Sequence, residues 1–276
     1  MGLFIDMTKS KDNKLNDLEG REWIKFTKSW FIHRPPQRSD KKILHPASFP
    51  ETLIADFIRF FTKKGQTVMD PFLGSGSTLI AAKMTGRNAI GIELSKKYVD
   101  ISKKRLQDQP SLLKTKQTIF CANSLDLDKL WEKENLPKID FCITSPPYWN
   151  QLKRSNIRQA ERKEKGLDTK YSENSSDIGN IENYEQFLEE QKKIFEKVYS
   201  ITKSGGYLVI ITNNVFADGR MYPLAFDTVR TISNTWVPKD EKVWLQDDKP
   251  LLPLGIYNAW VGNRHHQYCL IFRKES

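Results

Sequence analysis

Two short stretches of this chain have residue types and spacing that could do chemistry. The first is Asp70-Pro71-Phe72-Leu73-Gly74-Ser75-Gly76-Ser77-Thr78, which follows a β-rich run from Thr67 and leads into a helical pattern. Gly74 and Gly76 let the backbone bend sharply and approach a ligand closely. Ser77 is placed to cap the helix, whose unpaired N–H groups point at whatever lies beyond the turn. The spacing is neither Gly-x-Gly-x-x-Gly nor a turn followed by Gly-Lys-Ser/Thr, so the dinucleotide and P-loop readings are poor. The second stretch is Thr144-Ser145-Pro146-Pro147-Tyr148-Trp149, at the end of an apolar run over 139–144. Ser145 offers a hydroxyl oxygen, Pro146 a carbonyl that two consecutive prolines hold rigidly, and Tyr148 a flat face. Read singly, the two stretches are also compatible with an ordinary strand-to-helix turn and a turn after a strand.

The elements around them are those of an open α/β sheet. Leu53, Ile54, Phe57, Ile58 and Phe61 recur at helical spacing, so an amphipathic helix begins near Pro50. Residues 88–93 read as a buried strand ending in Glu93. A carboxylate after the strand that follows a Gly-containing turn is where α/β nucleotide folds accept ribose hydroxyls; a surface glutamate is the alternative. Strands are expected over 117–121 and 139–144, the latter delivering Ser145 to the carboxyl edge, where ligands collect in such sheets. Asn183 with Gln186 three residues on marks a helix start, and that helix is expected to end at Gly205-Gly206 before a strand over 207–212. A helix over 222–234 and an antiparallel pair over 241–246 and 267–273 complete the reading.

Together the two stretches resemble the S-adenosylmethionine-dependent amino-methyltransferases of DNA, the N4-cytosine and N6-adenine enzymes. The stretch 70–78 looks like that family's cofactor motif, and Ser145-Pro146-Pro147-Tyr148 like its catalytic motif. The resemblance runs from about residue 28 to 274 but is sharp only at these motifs. It implies an α/β, Rossmann-like methyltransferase fold with a mostly parallel seven-stranded sheet, an antiparallel final strand and helices on both faces. It implies cofactor contacts from Asp70, Pro71, Phe72, Gly74, Gly76, Ser77, Thr78, Glu93, Leu94, Asn123, Ser124 and His45, and catalytic roles for Ser145, Pro146, Pro147 and Tyr148. The family often has an acidic residue where this chain has Asn123, whose side-chain oxygen could accept from the adenine amino group instead. Serine at the first catalytic position points to N4 of cytosine, with N6-adenine or an RNA base as alternatives. The substrate base must then be flipped out of a duplex or be single-stranded, and methyl transfer is direct and in line. A nucleic-acid-binding module that keeps the fold without activity is the non-enzyme alternative.

Composition agrees with such a partner. The 276 residues carry 44 Lys and Arg against 34 Asp and Glu, a net charge of +10, as expected of a protein that meets phosphate backbones. The lysines and arginines cluster in a polar segment over 149–182, a candidate for gripping nucleic acid. Trp23, Phe26, Trp30 and Phe31 alternate with Lys25, Lys28 and Arg34, which suits base stacking as well as sealing one edge of the core. Residues 1–20 read as a loose polar arm. The expected organisation is an N-terminal arm with the aromatic, basic segment over 1–44, then a catalytic domain over 45–276 with inserted loops at about 149–182 and 247–266. Cys121, Cys142 and Cys269 lack paired or ligand spacing and read as small buried hydrophobes, and His265-His266 has no cysteine pair nearby, so no metal is expected. No apolar run nears the roughly 20 residues of a membrane span, and a cytoplasmic location is expected.

Overall fold

The computed structural model describes residues 13–34, 49–110, 114–149 and 176–275. Eight strands hydrogen-bond into one sheet: β1 (Trp30–Ile32), β2 (Thr67–Asp70), β3 (Asn88–Glu93), β4 (Gln117–Cys121), β5 (Ile139–Thr144), β6 (Thr202–Thr212), β9 (Val237–Leu245) and β10 (His266–Arg273). Their order is β1-β9-β10-β6-β5-β2-β3-β4, and β7 (Val215–Ala217) pairs with β8 (Arg220–Tyr222) in a separate hairpin. β10 is antiparallel to both neighbours, while the remaining pairs of the large sheet are parallel. The expected mostly parallel sheet with an antiparallel strand is present. It has eight strands and not seven because β1 adds to the outer side of β9.

Alternation along the strands sorts the core into two layers. Met69, Cys142, Leu208 and Ile210 pack on one face with helix α6 (Tyr184–Ile201), and Val68, Phe141, Ile143, Val209 and Ile211 on the other with helix α2 (Glu51–Phe61). In α2 the predicted stripe is the buried one, and the helix starts after Pro50 as expected. Helices α3 (Ser77–Thr85), α4 (Lys96–Asp108), α5 (Leu127–Lys133) and α7 (Leu224–Ile232) complete the layers, with the short α1 (Gly20–Phe26) against α2. Asn183 caps α6 by accepting from the Gln186 N–H at 2.8 Å.

Several expectations need correction. Gly205-Gly206 lies inside β6, which begins at Thr202 directly after α6. Gly206 is there because an added Cβ would meet Thr202 Cγ2 at 2.6 Å and the Asp140 carbonyl at 2.9 Å. Tyr222 belongs to the β7–β8 hairpin, so α7 starts at Leu224. Residues 13–18 are tied down: buried Asn16 donates to the Phe60 carbonyl at 2.6 Å and accepts from Leu18 N–H. Of the interleaved aromatics, Phe26 stacks on Phe60 with centroids 4.2 Å apart and Trp23 tilts against Phe60, which seals the core edge; Trp30 stays exposed under Lys28. Cys142 and Cys269 are buried, but Cys121 is exposed at the end of β4. Among the described residues, no helix is long and apolar enough to cross a membrane, and no group of three or more His, Cys, Asp and Glu could hold a metal ion.

Candidate active site

Chain order and sheet order disagree at one place. After β2 the chain moves outward to β3 and β4 on one side, then returns with β5 on the other side of β2. Such a switch point opens a crevice at the carboxyl ends of its two strands. The two motifs read from the sequence sit there, at the ends of β2 and β5. They are joined directly, because the Thr144 hydroxyl donates to Asp70 Oδ1 at 2.6 Å.

Asp70 is 4% exposed and takes two further donors, the Phe72 N–H at 2.9 Å and the Thr78 hydroxyl at 2.6 Å. Burial pushes its carboxyl upward and these three hydrogen bonds oppose the rise. Its work is therefore to brace β2, β5 and α3 against one another. The turn above it is shaped by glycine. Gly76 has φ 90°, and a Cβ there would lie 3.0 Å from Ser102, whose hydroxyl donates to the Gly74 carbonyl at 2.8 Å. Gly76, not Ser77, occupies the N-cap of α3 and supplies no side-chain cap; Ser77 is the first helical residue and its hydroxyl reaches Glu51 at 3.3 Å. The amides of the first turn are left for a ligand. Arg105 fastens the turn from outside, donating to the Ser75 carbonyl and to Glu51.

Glu93, at the end of β3, accepts the Gly74 N–H on one oxygen at 2.8 Å and the Ser95 N–H on the other at 2.7 Å. Each oxygen keeps a lone pair for an outside donor. Burial, the largest influence, raises its carboxyl from 4.5 to about 7 against the pull of those amides, and the charges of Asp177 and Asp70 add to the rise.

A cleft of about 990 Å³, counting the solvent at its mouth, is lined by Asp70, Pro71, Phe72, Gly74, Ser77, Thr78, Glu93, Leu94, Asn123, Ser124, Ser145, Pro146 and Pro147. Of the expected site residues, Gly76 shapes the turn without lining the cleft, and His45 lies outside the described residues, as does most of the polar segment over 149–182. Asn123 spends its side-chain oxygen on the Leu125 N–H at 2.9 Å, so only its second lone pair remains for the expected adenine contact. Tyr148 does not line the cleft. It is buried, and its hydroxyl donates to Gln267 at 2.9 Å, tying the Ser-Pro-Pro-Tyr stretch to β10. The flat face expected at the cleft is not its contribution in this arrangement.

The structure adds Asp177, which sequence reasoning missed. It lies near the end of the polar segment over 149–182, is 8% exposed and lines the same cleft. One oxygen accepts the Gly179 N–H at 2.9 Å, and burial raises its carboxyl. Its position, 32 residues after Ser145 with no motif around it, carried no signal; only the fold returns it to the site. Ser145 is the other outlier. Among the described residues its hydroxyl oxygen is one of six buried side-chain polar atoms without a hydrogen-bond partner, and of these six it alone lines the cleft. A buried hydroxyl without a partner costs about 1–3 kcal/mol, which a donor arriving in the cleft would relieve.

A mostly parallel sheet with a ligand crevice between its central strands, a glycine turn on one side and a rigid Pro-Pro corner on the other define the Rossmann-like methyltransferase fold. In the solved structure of TrmN from Thermus thermophilus the same fold recurs, with a TM-score of 0.51 at 13% identity over 83% of this chain and 50% of that one. Residues 5–104 and 139–276 match the N6/N4 DNA methylase family, and the chain belongs to it; S-adenosylmethionine is the cofactor of this family and fold. Among its relatives, the Type II methyltransferase M.BglI of Bacillus subtilis is 38% identical over 94 residues, 33% of this chain and 26% of that protein. The orphan methyltransferase M.BamHII of Bacillus amyloliquefaciens is 37% identical over 110 residues, 38% of this chain and 40% of that protein. The matched segments thus span less than half the length of these relatives.

Proposed function

We propose that the protein methylates the exocyclic N4 amino group of cytosine in DNA, with the target base flipped into the crevice beside Ser145. The observation that carries this reading is the buried, unpartnered Ser145 hydroxyl at the rim shared with the glycine turn. An exocyclic amine is a poor nucleophile because its lone pair is delocalised into the ring. Holding both N–H groups on fixed acceptors lets the nitrogen pyramidalise. Ser145 Oγ and the Pro146 carbonyl are those acceptors, and the second proline keeps the carbonyl from turning away.

The lining also suits the cofactor. The acidic pair Glu93 and Asp177 matches ribose hydroxyls and an ammonium group, the uncapped first turn of α3 matches a carboxylate, and Phe72, Leu94 and Ile178 match an adenine ring. When bound, S-adenosylmethionine supplies an electrophilic methyl group. Glu93 and Asp177 would orient its bearer. None of the described cleft residues is a histidine, and none is needed, because the amine can lose its proton after methylation.

Nucleoside mass spectrometry after incubation with DNA and, separately, RNA tests the proposal. N4-methylcytosine from DNA is expected. N6-methyladenine would overturn the base assignment, and modified RNA alone would overturn the substrate.

A further inference from the structure

The connection between β9 and β10 carries a group of apolar side chains that the crevice does not use. Leu251 is 77% exposed, Trp260 93% and Tyr257 fully exposed. Folding gains nothing from displaying such groups, and contiguous exposed apolar surface marks a contact site.

The display is built. Asn263 clamps the neck of the loop, accepting the Leu252 N–H and donating to the Leu252 carbonyl, both at 2.8 Å. At the tip, Asn258 and Ala259 donate their N–H groups to the Gly255 carbonyl at 3.0 and 2.9 Å. A Cβ on Gly255 would lie 2.3 Å from the Ala259 carbonyl, and Tyr257 is held at φ 59°. Arg264 ties the loop to the hairpin that follows β6 through the Asn214 carbonyl.

Topology gives the loop its neighbour. β9 runs parallel to β1 and, through antiparallel β10, in the same sense as β6 and β5, so it ends at the sheet edge that bears Ser145. At the root of the loop, Gln267 receives the hydroxyl of Tyr148 from the catalytic motif. The loop therefore leaves the sheet at the edge where that motif lies, and a net charge of +10 favours an anionic partner at that edge.

We propose that the β9–β10 loop is a nucleic-acid-contacting arm, in which Tyr257 and Trp260 stack on bases next to the one presented to Ser145. This rests on the methyltransferase reading above. Aromatic rings stack on any base face, so the arm adds affinity with little sequence preference.

The test uses the full chain, a short fluorescein-labelled duplex of mixed sequence, and fluorescence anisotropy with S-adenosylhomocysteine present. The Tyr257→Ala/Trp260→Ala variant is expected to bind the duplex about tenfold more weakly or worse, while calorimetric affinity for S-adenosylmethionine stays that of wild type and Trp260→Phe keeps most of the binding. A double variant whose duplex affinity stays within about twofold of wild type overturns the arm. A wild-type dimer that the variant converts to monomer in sedimentation overturns it too, because a second copy then covers this face. Loss of duplex affinity in the variant of a wild type that takes up no S-adenosylmethionine would keep the arm and sink the methyltransferase reading.

Discussion

With Glu93 holding the cofactor's ribose as proposed, cofactor binding depends on pH in a direction that can be worked out. Its carboxyl titrates at about 7 in the free protein because burial outweighs the two amides it accepts, whereas an unperturbed glutamate titrates at 4.5. A raised value means the fold favours the protonated acid. Stability from this group is complete below pH 4.5 and is lost as pH climbs through about 7, in all roughly 3 kcal/mol at about 1.4 kcal/mol per pH unit. In that proposed pose the ribose hydroxyls donate to the charged form, so binding would return Glu93 to a carboxylate and release a proton. Affinity for S-adenosylmethionine should then rise by up to about tenfold per pH unit below about pH 7 and level off above it. Calorimetry in two buffers of different ionisation heat counts the released proton, with Glu93→Gln as the control that binds weakly and without the slope. An affinity that is flat between about pH 5.5 and about pH 8, or a Glu93→Gln variant that keeps the wild-type slope, would refute the reasoning.

Removing the unpartnered hydroxyl in Ser145→Ala should lower turnover about 100-fold or more while thermal stability holds or rises slightly, read by methyl incorporation and melting; a stability loss would mean that the oxygen has a structural partner. Asp177→Asn removes a charge that pushes Glu93 upward, so the inflection in the affinity profile should move to lower pH, as calorimetry across pH would show. Gly76→Ala forces a side chain into a left-handed turn and against Ser102, and should cost about 1–3 kcal/mol in denaturant unfolding together with weaker cofactor binding. Trp236→Ala empties a fully buried site and removes the indole N–H donated to the Phe195 carbonyl at 2.9 Å; a loss of about 3–5 kcal/mol in unfolding, with cofactor affinity unchanged, is expected.

The sequence by itself determined what is local. Helix α2 was legible because its apolar stripe repeats at the helical period, and strands β3, β4 and β5 because short apolar runs are bounded by turn residues. The glycine turn and the Pro-Pro corner were legible because few residues besides glycine and proline hold such backbone. Where local signals conflicted, the tertiary structure decided. Gly205-Gly206 reads as a helix end, yet close packing against Asp140 draws it into β6, and β1 is a strand because β9 offers it an edge. The site was decided in the same way. Asp177 reaches the cleft from outside every motif, and Tyr148 leaves it to bond Gln267. The burial of the Ser145 oxygen without a partner likewise exists only in the folded chain. Contacts between residues far apart in the chain depend on which strands become neighbours, and no spacing along the sequence encodes that.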